Sequence, residues 1–484
     1  MGVKRAIIDI GSNTVRLVIY NGPPRAPVVL LNEKVTARLG RDVADTGKLS
    51  NKATRLALDA LRRYATLLDL GQVTDVQTVA TAAVRDAQNG QQFLREIERL
   101  GLSPQLLSGE DEARLSATGV LAAFPGAHGI AGDLGGGSLE LARIADNFCH
   151  EGISLPLGSL RLAELRADGE AAFVAKVRAM LRQAKWPDVR GGNFYIVGGS
   201  WRALAIYAMQ LNASPLDDPH DFELTAKEAA KICRALADDG PAFAVPRLSS
   251  ARIESLPDAA ALLGALLKVL RPDRIVFSSW GLREGLLHAS LPLAERASDP
   301  MTASVAAFVK RYDVELEVAE AIVDWIGETI PGSQAVEREL RLAATLLSLA
   351  SMRIEPNVRA HESLDWALRK RWIAIDARGR AIVAFAMLAH IGQTDLVEDL
   401  KEFLTGDELE WAVRWGLAVR VARKLTNCSM LALERSALRA DEDSLTLALD
   451  DLTEPLFNAS VVKNHARLAE RLGLEPGQAR LEPT

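Results

Sequence analysis

The chain has 484 residues, is 48% hydrophobic and 25% charged, and carries a net charge of −6 at pH 7. These are ordinary values for a soluble globular protein of about two to four domains, and a polyanionic partner would need a local basic track because the overall field does not attract it. Cys149, Cys233 and Cys428 are odd in number and far apart, which argues against a disulfide framework or a zinc cluster and suits a reducing cytosol.

The first 20 residues are interrupted by Asp9, Asn13 and Arg16 and do not read as a signal peptide. Residues 3–20 read instead as two strands around a tight turn, with a third strand at Val28–Arg38. A helix follows at Ser50–Leu68, a strand at Asp75–Thr81, a helix at Gln91–Leu100 and a short strand at Pro104–Leu107. Ser108-Gly109-Glu110-Asp111 has capping-box spacing and starts a helix to Ala123. Beyond Pro125-Gly126, strands are expected at Gly129–Asp133, Ser138–Ala145, Cys149–Leu155, Asn193–Val197 and Arg274–Ser278. Helices are expected around Ser159–Arg166, Glu170–Gln183, Ser200–Leu211, Ala226–Ala237, Pro257–Val269 and Leu282–Leu291. This alternation argues a layered α/β fold. From about Met301 the pattern turns helical, over Val305–Ile326, Ala335–Ala350, Ser363–Lys370, Gly379–His390 and Glu408–Leu425. A hairpin, Met430–Leu438 with Ser444–Leu449, and a helix at Asn458–Leu472 close the chain. No run of about 18 uncharged apolar residues predicts a membrane helix.

The most telling feature is a repeat. Asp9-Ile-Gly11-Ser12-Asn13-Thr14-Val15-Arg16 recurs, altered, as Asp133-Leu-Gly135-Gly136-Gly137-Ser138-Leu139-Glu140. Each copy reads strand, turn, strand, with a carboxylate at the mouth of the turn. Glycine lets backbone approach a ligand and reach positive φ. Successive N–H groups form an anion cradle, and Ser12, Asn13, Thr14 and Ser138 add donors. Asp9, Asp133 and Glu140 supply the hard oxygens that Mg²⁺ prefers. A pair of ordinary hairpins is the plain alternative, weakened by the matched positions of the two copies.

Further motifs follow in order: Arg38-Leu-Gly, Val79-Ala-Thr-Ala-Ala-Val-Arg85-Asp-Ala, Ser108-Gly-Glu-Asp-Glu112-Ala-Arg-Leu, Leu155-Pro-Leu-Gly-Ser-Leu-Arg161, Val197-Gly-Gly-Ser-Trp-Arg202-Ala and Ser279-Trp-Gly-Leu-Arg283-Glu-Gly-Leu. With the twin turns, they resemble the exopolyphosphatase / guanosine pentaphosphate phosphohydrolase family, a branch of the actin-like ATPase superfamily. The resemblance covers about the first 300 residues. It implies an α/β fold of two actin-like (ribonuclease H-like) lobes, at 1–124 and 125–299. An all-helical HD-related domain at 300–427 and a small α+β segment at 428–484 complete the expected organisation. That helical domain has no adjacent His-Asp pair; the chain's one such pair, His220-Asp221, reads as a loop feature.

Glu110, Asp111 and Glu112 cannot be separated by the sequence alone, since acids in a first helical turn also serve capping and the dipole. The resemblance places the catalytic general base at Glu112. It further implies hydrolysis of terminal orthophosphate from inorganic polyphosphate, or of the 5′-γ-phosphate of guanosine pentaphosphate (pppGpp), with Mg²⁺ or another divalent cation. Arg85 and Arg38 are candidate phosphate ligands, each with an ordinary ion pair as its alternative. Gly198-Gly199-Ser200 offers free N–H groups where a strand opens into a helix. Arg359, Arg369, Lys370, Arg371, Arg414, Arg420, Arg423 and Lys424 are candidates for a track leading polyphosphate inward. A homodimer in the cytoplasm, without membrane or nucleic-acid partners, is the accompanying expectation. A sugar or acetate kinase of the same superfamily would leave Glu112 unexplained, and a non-catalytic phosphate-signal sensor would not need a general base.

Overall fold

The computed structural model describes residues 4–188, 190–327, 329–393 and 398–480. They divide into two units, Met1–Ser214 with Pro219–Ser298, and Pro215–Asp218 with Asp299–Thr484.

The first unit holds two sheets of matching design. Strands β1 (Arg5–Ile10), β2 (Val15–Asn21), β3 (Val28–Val35), β4 (Asp75–Ala80) and β5 (Pro104–Leu106) lie in the order β3-β2-β1-β4-β5. Strands β6 (Gly129–Leu134), β7 (Leu139–Ala145), β8 (Phe148–Leu155), β9 (Asn193–Val197), β10 (Glu223–Thr225) and β11 (Arg274–Phe277) form the order β10-β11-β9-β6-β7-β8. Read from β8, the second sheet repeats the first, with β6 parallel to β9 as β1 is to β4, and β10 added at its edge. Both central strands are buried on two faces, so they read as nearly continuous apolar runs. The two-residue period sorts β1 between two cores. Ala6, Ile8 and Ile10 face one cluster with Ala57, Leu61 and Tyr64 of the helix Asn51–Leu70. Ile7 faces the other.

That second core explains how the lobes are joined. Helix α1 (Gly109–Ala123) packs Ala117 and Val120 against Ala131, Ala142 and Val276 of the second sheet. Helix α2 (Gly199–Leu211) runs from the end of β9, and helix α3 (Leu282–Ala289) places Leu286 and Leu287 against Ile7 and Val18 of the first sheet. So the helix that precedes the second sheet covers that sheet, and a helix from the end of the unit covers the first. Where α1 crosses α3, a side chain at Gly119 would overlap the Gly281 carbonyl, and one at Gly285 would overlap the Leu115 carbonyl. Only glycine allows backbones this close.

In the second unit, helices Pro300–Val309, Leu316–Ile326, Arg338–Ser351, Ala377–Ile391 and Gly406–Thr426 precede a three-stranded sheet of Ser436–Ala440, Ser444–Leu449 and Glu475–Arg480. Three expectations change here. The single helix at 305–326 is broken, because Asp313 takes φ 58° after a short 3₁₀ turn. Met430–Glu434 is a helix capped by Ser429 rather than strand, and only Ser436–Ala440 pairs in the hairpin. A third strand, Glu475–Arg480, adds parallel to Ser444–Leu449.

The basic residues proposed as a track are mostly engaged inside this unit. Arg359 donates to the carbonyls of Ser351, Met352 and Ile354, and Arg420 to Asn464 and the His390 carbonyl. Lys370 lies over the rings of Phe308 and Trp372. Arg369 pairs with Asp217 and Asp365, and Arg371 grips Asp218 through Nε at 3.0 Å and Nη2 at 2.9 Å. Arg380 stands 3.7 Å from the same Asp218 carboxylate, which is 3% exposed. Removing one side of a buried ion pair leaves the other charge unpaired. Asp218→Ala should therefore destabilise this unit by about 3–5 kcal/mol, read by urea unfolding. An unchanged midpoint would mean that the pair contributes nothing net.

Candidate active site

The twin turns are tight hairpins in the same register. Asp9 pairs with Arg16 and Ile10 with Val15, while Asp133 pairs with Glu140 and Leu134 with Leu139. Each turn closes with the same bond, Gly11 N–H to the Thr14 carbonyl and Gly135 N–H to the Ser138 carbonyl, both 3.0 Å.

Each is also braced from behind. Gly40 and Arg38 donate their backbone N–H groups to the carbonyls of Ser12 and Asn13, at 2.8 and 3.0 Å. Ser159 and Leu160 donate to those of Gly135 and Gly136, both at 3.0 Å. In a trans peptide the N–H points opposite the carbonyl it is bonded to. Carbonyls held on the brace therefore turn the N–H groups of Asn13, Thr14, Gly136 and Gly137 the other way. Those four residues line a cavity of about 370 Å³. The Arg38-Leu-Gly motif thus supports the first turn through its backbone, while the Arg38 side chain is exposed.

Glycine is needed here for space, not for positive φ. None of Gly11, Gly135, Gly136 and Gly137 adopts positive φ, contrary to one of the two reasons for expecting them. A Cβ on Gly136 would stand 3.0 Å from the Asn13 nitrogen, and one on Gly137 would stand 2.5 Å from Ser12 Oγ. The two turns lie against each other.

The cavity gathers Asp9, Gly11, Ser12, Asn13, Thr14, Glu112, Asp133, Gly135, Gly136, Gly137, Ser138, Glu140, Gly199 and Ser200. Of the three acids that open α1, Glu110 is exposed, and Asp111 bonds Ser108 and Arg114. Only Glu112 is buried and lines the cavity. Arg85 does not line it; its Nη1 donates to Glu112 Oε2 at 3.2 Å and to the Leu107 carbonyl at 3.0 Å. The candidate phosphate ligand is thus the partner of the candidate base.

Burial pushes the Glu112 carboxyl up to about 7; the Arg85 guanidinium opposes this, while Asp133 and Asp9 add to it. Burial also raises Asp9, against Arg283 and Arg16, and raises Asp133, against the hydroxyl of Ser116, which donates at 2.6 Å. Glu140 is raised well above its ordinary range by burial and by Glu112, and it accepts from Ser154 Oγ at 2.8 Å. Four carboxyl groups whose charge is disfavoured by burial thus line one cavity with the two turns.

The three expected metal ligands, Asp9, Asp133 and Glu140, all line this cavity. Among the described residues no group of three or more His, Cys, Asp or Glu side chains could hold a metal ion. Asp9 faces Arg283, Asp133 holds Ser116, and Glu140 is tied to Ser154.

Several lining cations were not foreseen as site residues: Arg16 in the phosphate role, Lys34, Arg202, Arg252 and Arg283. Arg252 Nη1 donates to Ser200 Oγ at 3.2 Å, directly over the start of α2. Burial lowers Lys34, and Arg16 and Arg252 lower it further, so three cations share one field. Such a cluster is relieved by an anion. Its members come from β2, β3 and a segment more than two hundred positions later, so no local motif announces it. For Arg202 and Arg283 the signal was present, because both stand inside motifs of the resemblance.

A family model described as the Ppx/GppA phosphatase family matches residues 18–294. Exopolyphosphatase 1 of Mycobacterium tuberculosis (strain ATCC 25618 / H37Rv) is 30% identical over 305 residues, 59% of this chain and 87% of that protein. A guanosine-5′-triphosphate,3′-diphosphate pyrophosphatase of Aeromonas hydrophila is 25% identical over 501 residues, 97% of each chain. The crystal structure of the Aquifex aeolicus Ppx/GppA family member aligns with a TM-score of 0.51 at 25% identity, over 61% of this chain and 99% of that one. With the duplicated sheet, the crossed helices and the paired turns, these matches establish that the chain belongs to the Ppx/GppA phosphatase family.

Proposed function

We propose that this phosphoanhydride hydrolase releases terminal orthophosphate from inorganic polyphosphate, with Glu112 as general base. The observation that carries the reading is the buried Glu112 carboxyl in the first turn of α1, lining one cavity with the two turns; burial raises its pKa to about 7. A base with this proton affinity suits proton transfer at neutral pH. In this reading Glu112 takes a proton from a water aligned with the terminal phosphorus. The water oxygen bonds to phosphorus, the anhydride P–O bond breaks, and the electron pair leaves with the shortened chain. The turn N–H groups and the hydroxyls of Thr14 and Ser138 hold the phosphoryl oxygens. Arg85 keeps Glu112 in place.

A divalent cation such as Mg²⁺ belongs to the proposal. Mg²⁺ is commonly held by one or two carboxylates with waters and phosphate oxygens, which suits a site served by Asp133 and Glu140, with Asp9 beside them. Bound there, it would draw charge from the phosphoryl oxygens. Arg16, Lys34 and Arg252 would take phosphates further along the chain. The cation, a homodimer, the cytoplasmic setting and the four-part domain division are parts of this reading, supported by the family membership.

A second reading, hydrolysis of pppGpp, is favoured by an apolar wall of Ala203, Ile206 and Leu248 in the same cavity. That wall would suit a base, although the lining residues include no aromatic ring to stack on it. The deciding experiment measures phosphate released from long-chain polyphosphate and from pppGpp, with and without Mg²⁺. Release from neither substrate would overturn both readings.

The Arg85–Glu112 pair also sets a pH dependence. A general base must be deprotonated, so kcat/KM should fall as pH drops through about 7. Arg85 lowers the proton affinity of Glu112, so Arg85→Gln should move that acid limb upward. A limb that stays in place in a folded, active Arg85→Gln protein would assign it to another group.

A further inference from the structure

We infer that Arg283 is a further catalytic residue, whose guanidinium grips the terminal phosphoryl group and stabilises charge on its oxygens during transfer. The inference rests on the phosphohydrolase reading above.

Arg283 stands in the first turn of α3 and lines the cavity. Its side chain is 17% exposed and its Nε lies 3.8 Å from Asp9 Oδ2, beyond hydrogen-bond distance. Among the described residues, no hydrogen bond from this guanidinium is found. Its sequence neighbour Glu284 is already committed: one carboxylate oxygen accepts from Tyr20 Oη at 2.9 Å, the other from the Gly281 N–H at 3.1 Å. Arg85 and Arg252 differ, since each donates to a protein oxygen.

An arginine has five N–H donors in a fixed fork. Those of Arg283 are not sealed in the interior but open onto the cavity, where an acceptor on a ligand can reach them. A phosphoryl group matches the fork, in a cavity that already presents backbone N–H groups. Burial disfavours the charge on Arg283, but Glu284, Tyr20, Asp9 and Asp133 restore it and keep the group cationic. The position is also rigid. The Glu284 bond fixes the start of α3, and Gly285 seats the helix against the Leu115 carbonyl of α1, the helix that carries Glu112. A charge fixed before the reaction needs no reorganisation during it.

The test uses the full chain with saturating polyphosphate and Mg²⁺. Arg283→Ala should lower kcat by about 10²–10³ and change KM less. Guanidinium chloride at low concentration should restore part of that activity without stimulating the native protein. Arg283→Lys keeps a charge beside Asp9 but loses the fork, and should remain at least about tenfold slow. If Arg283 is only a counter-ion for Asp9, the lysine variant will be near native and guanidinium will rescue nothing, which overturns the inference. If Arg283→Ala does not fold, Arg283→Lys and Arg283→Gln decide the question by the same criteria. A separate arm measures tripolyphosphate binding by calorimetry in a Glu112→Gln background. Adding Arg283→Ala should weaken it about tenfold or more, and unchanged binding counts against the inference. A native protein that releases no phosphate defeats the functional reading and the catalytic role of Arg283 with it, whereas a native protein that releases phosphate with the Arg283 variants unimpaired defeats the inference alone.

Discussion

Glu112→Gln should lower kcat by about 10²–10⁴ while leaving polyphosphate binding nearly intact. Glutamine keeps the size of the side chain but accepts no proton. The backbone cradle and the lining cations do not depend on residue 112, so binding should persist. The same substitution makes a prediction about stability, with a definite sign. The Glu112 carboxyl is raised from 4.5 to about 7 in the fold. The folded state therefore holds its proton more tightly than the unfolded chain does. Stability linked to this group is fully present below pH 4.5 and is lost as pH rises through about 7, by on the order of 3 kcal/mol. Glu112→Gln removes that loss, though it also deprives Arg85 of a carboxylate. The difference in Tm, variant minus native, should therefore become more positive from pH 5 to pH 8. A variant with native kcat would end the general-base assignment. A Tm difference independent of pH would show that Glu112 does not hold its proton as its burial requires.

Much of the first unit could be read in advance because its signals are local. Asn193–Val197 and Glu170–Gln183 follow from apolar runs bounded by turn residues, and the structure has them at the expected limits. The twin hairpins were visible because one arrangement was written twice, with the acid, the glycine and the hydroxyl each at the same offset. The helix Ala82–Asp86 escaped notice because five residues are too few to show a period. β10 and the last strand, Glu475–Arg480, escaped because each joins an edge made by distant residues. Met430–Glu434 was misread because its apolar residues suit a strand as well as a helix. Ser429 decides the matter by capping it.

The site divides in the same way. Glu112 was singled out by the resemblance, and burial then separates it from Glu110 and Asp111. Lys34, Arg252 and the partnership of Arg85 with Glu112 depend on which strands become neighbours, and no spacing along the chain encodes that. The exchange of α1 and α3 between the sheets has the same origin. Its only local trace is a pair of helical glycines, Gly119 and Gly285, at positions where alanine would otherwise be the better helix former.

The spacing between the two turns makes the other large prediction. A methyl group on Gly137 would stand 2.5 Å from Ser12 Oγ and 3.2 Å from Ser12 Cβ, with Ala82 Cβ at 3.4 Å. The second turn cannot retreat, because a side chain at Gly158 would already overlap the backbone of Gly137, and Gly158 is glycine. Gly137→Ala must therefore turn the Ser12 hydroxyl aside and shift the turns against each other. A misplacement of about 1 Å among groups that position a reacting phosphate costs on the order of 10² in rate. We expect a loss of that size in kcat/KM, with the fold retained by circular dichroism. Both tight contacts belong to one side chain, which makes the cause testable. Ser12→Gly removes Oγ and Cβ together, the two contacts shorter than that with Ala82. The single Ser12→Gly change costs some phosphate affinity, because a hydroxyl donor is lost. In its background, however, Gly137→Ala should cost at least tenfold less than it does alone, a coupling of about 1.4 kcal/mol or more. Additive losses would mean that the turns do not meet through Ser12 and Gly137. Coupling of the expected sign would show that the distance between the two anion cradles limits phosphate release.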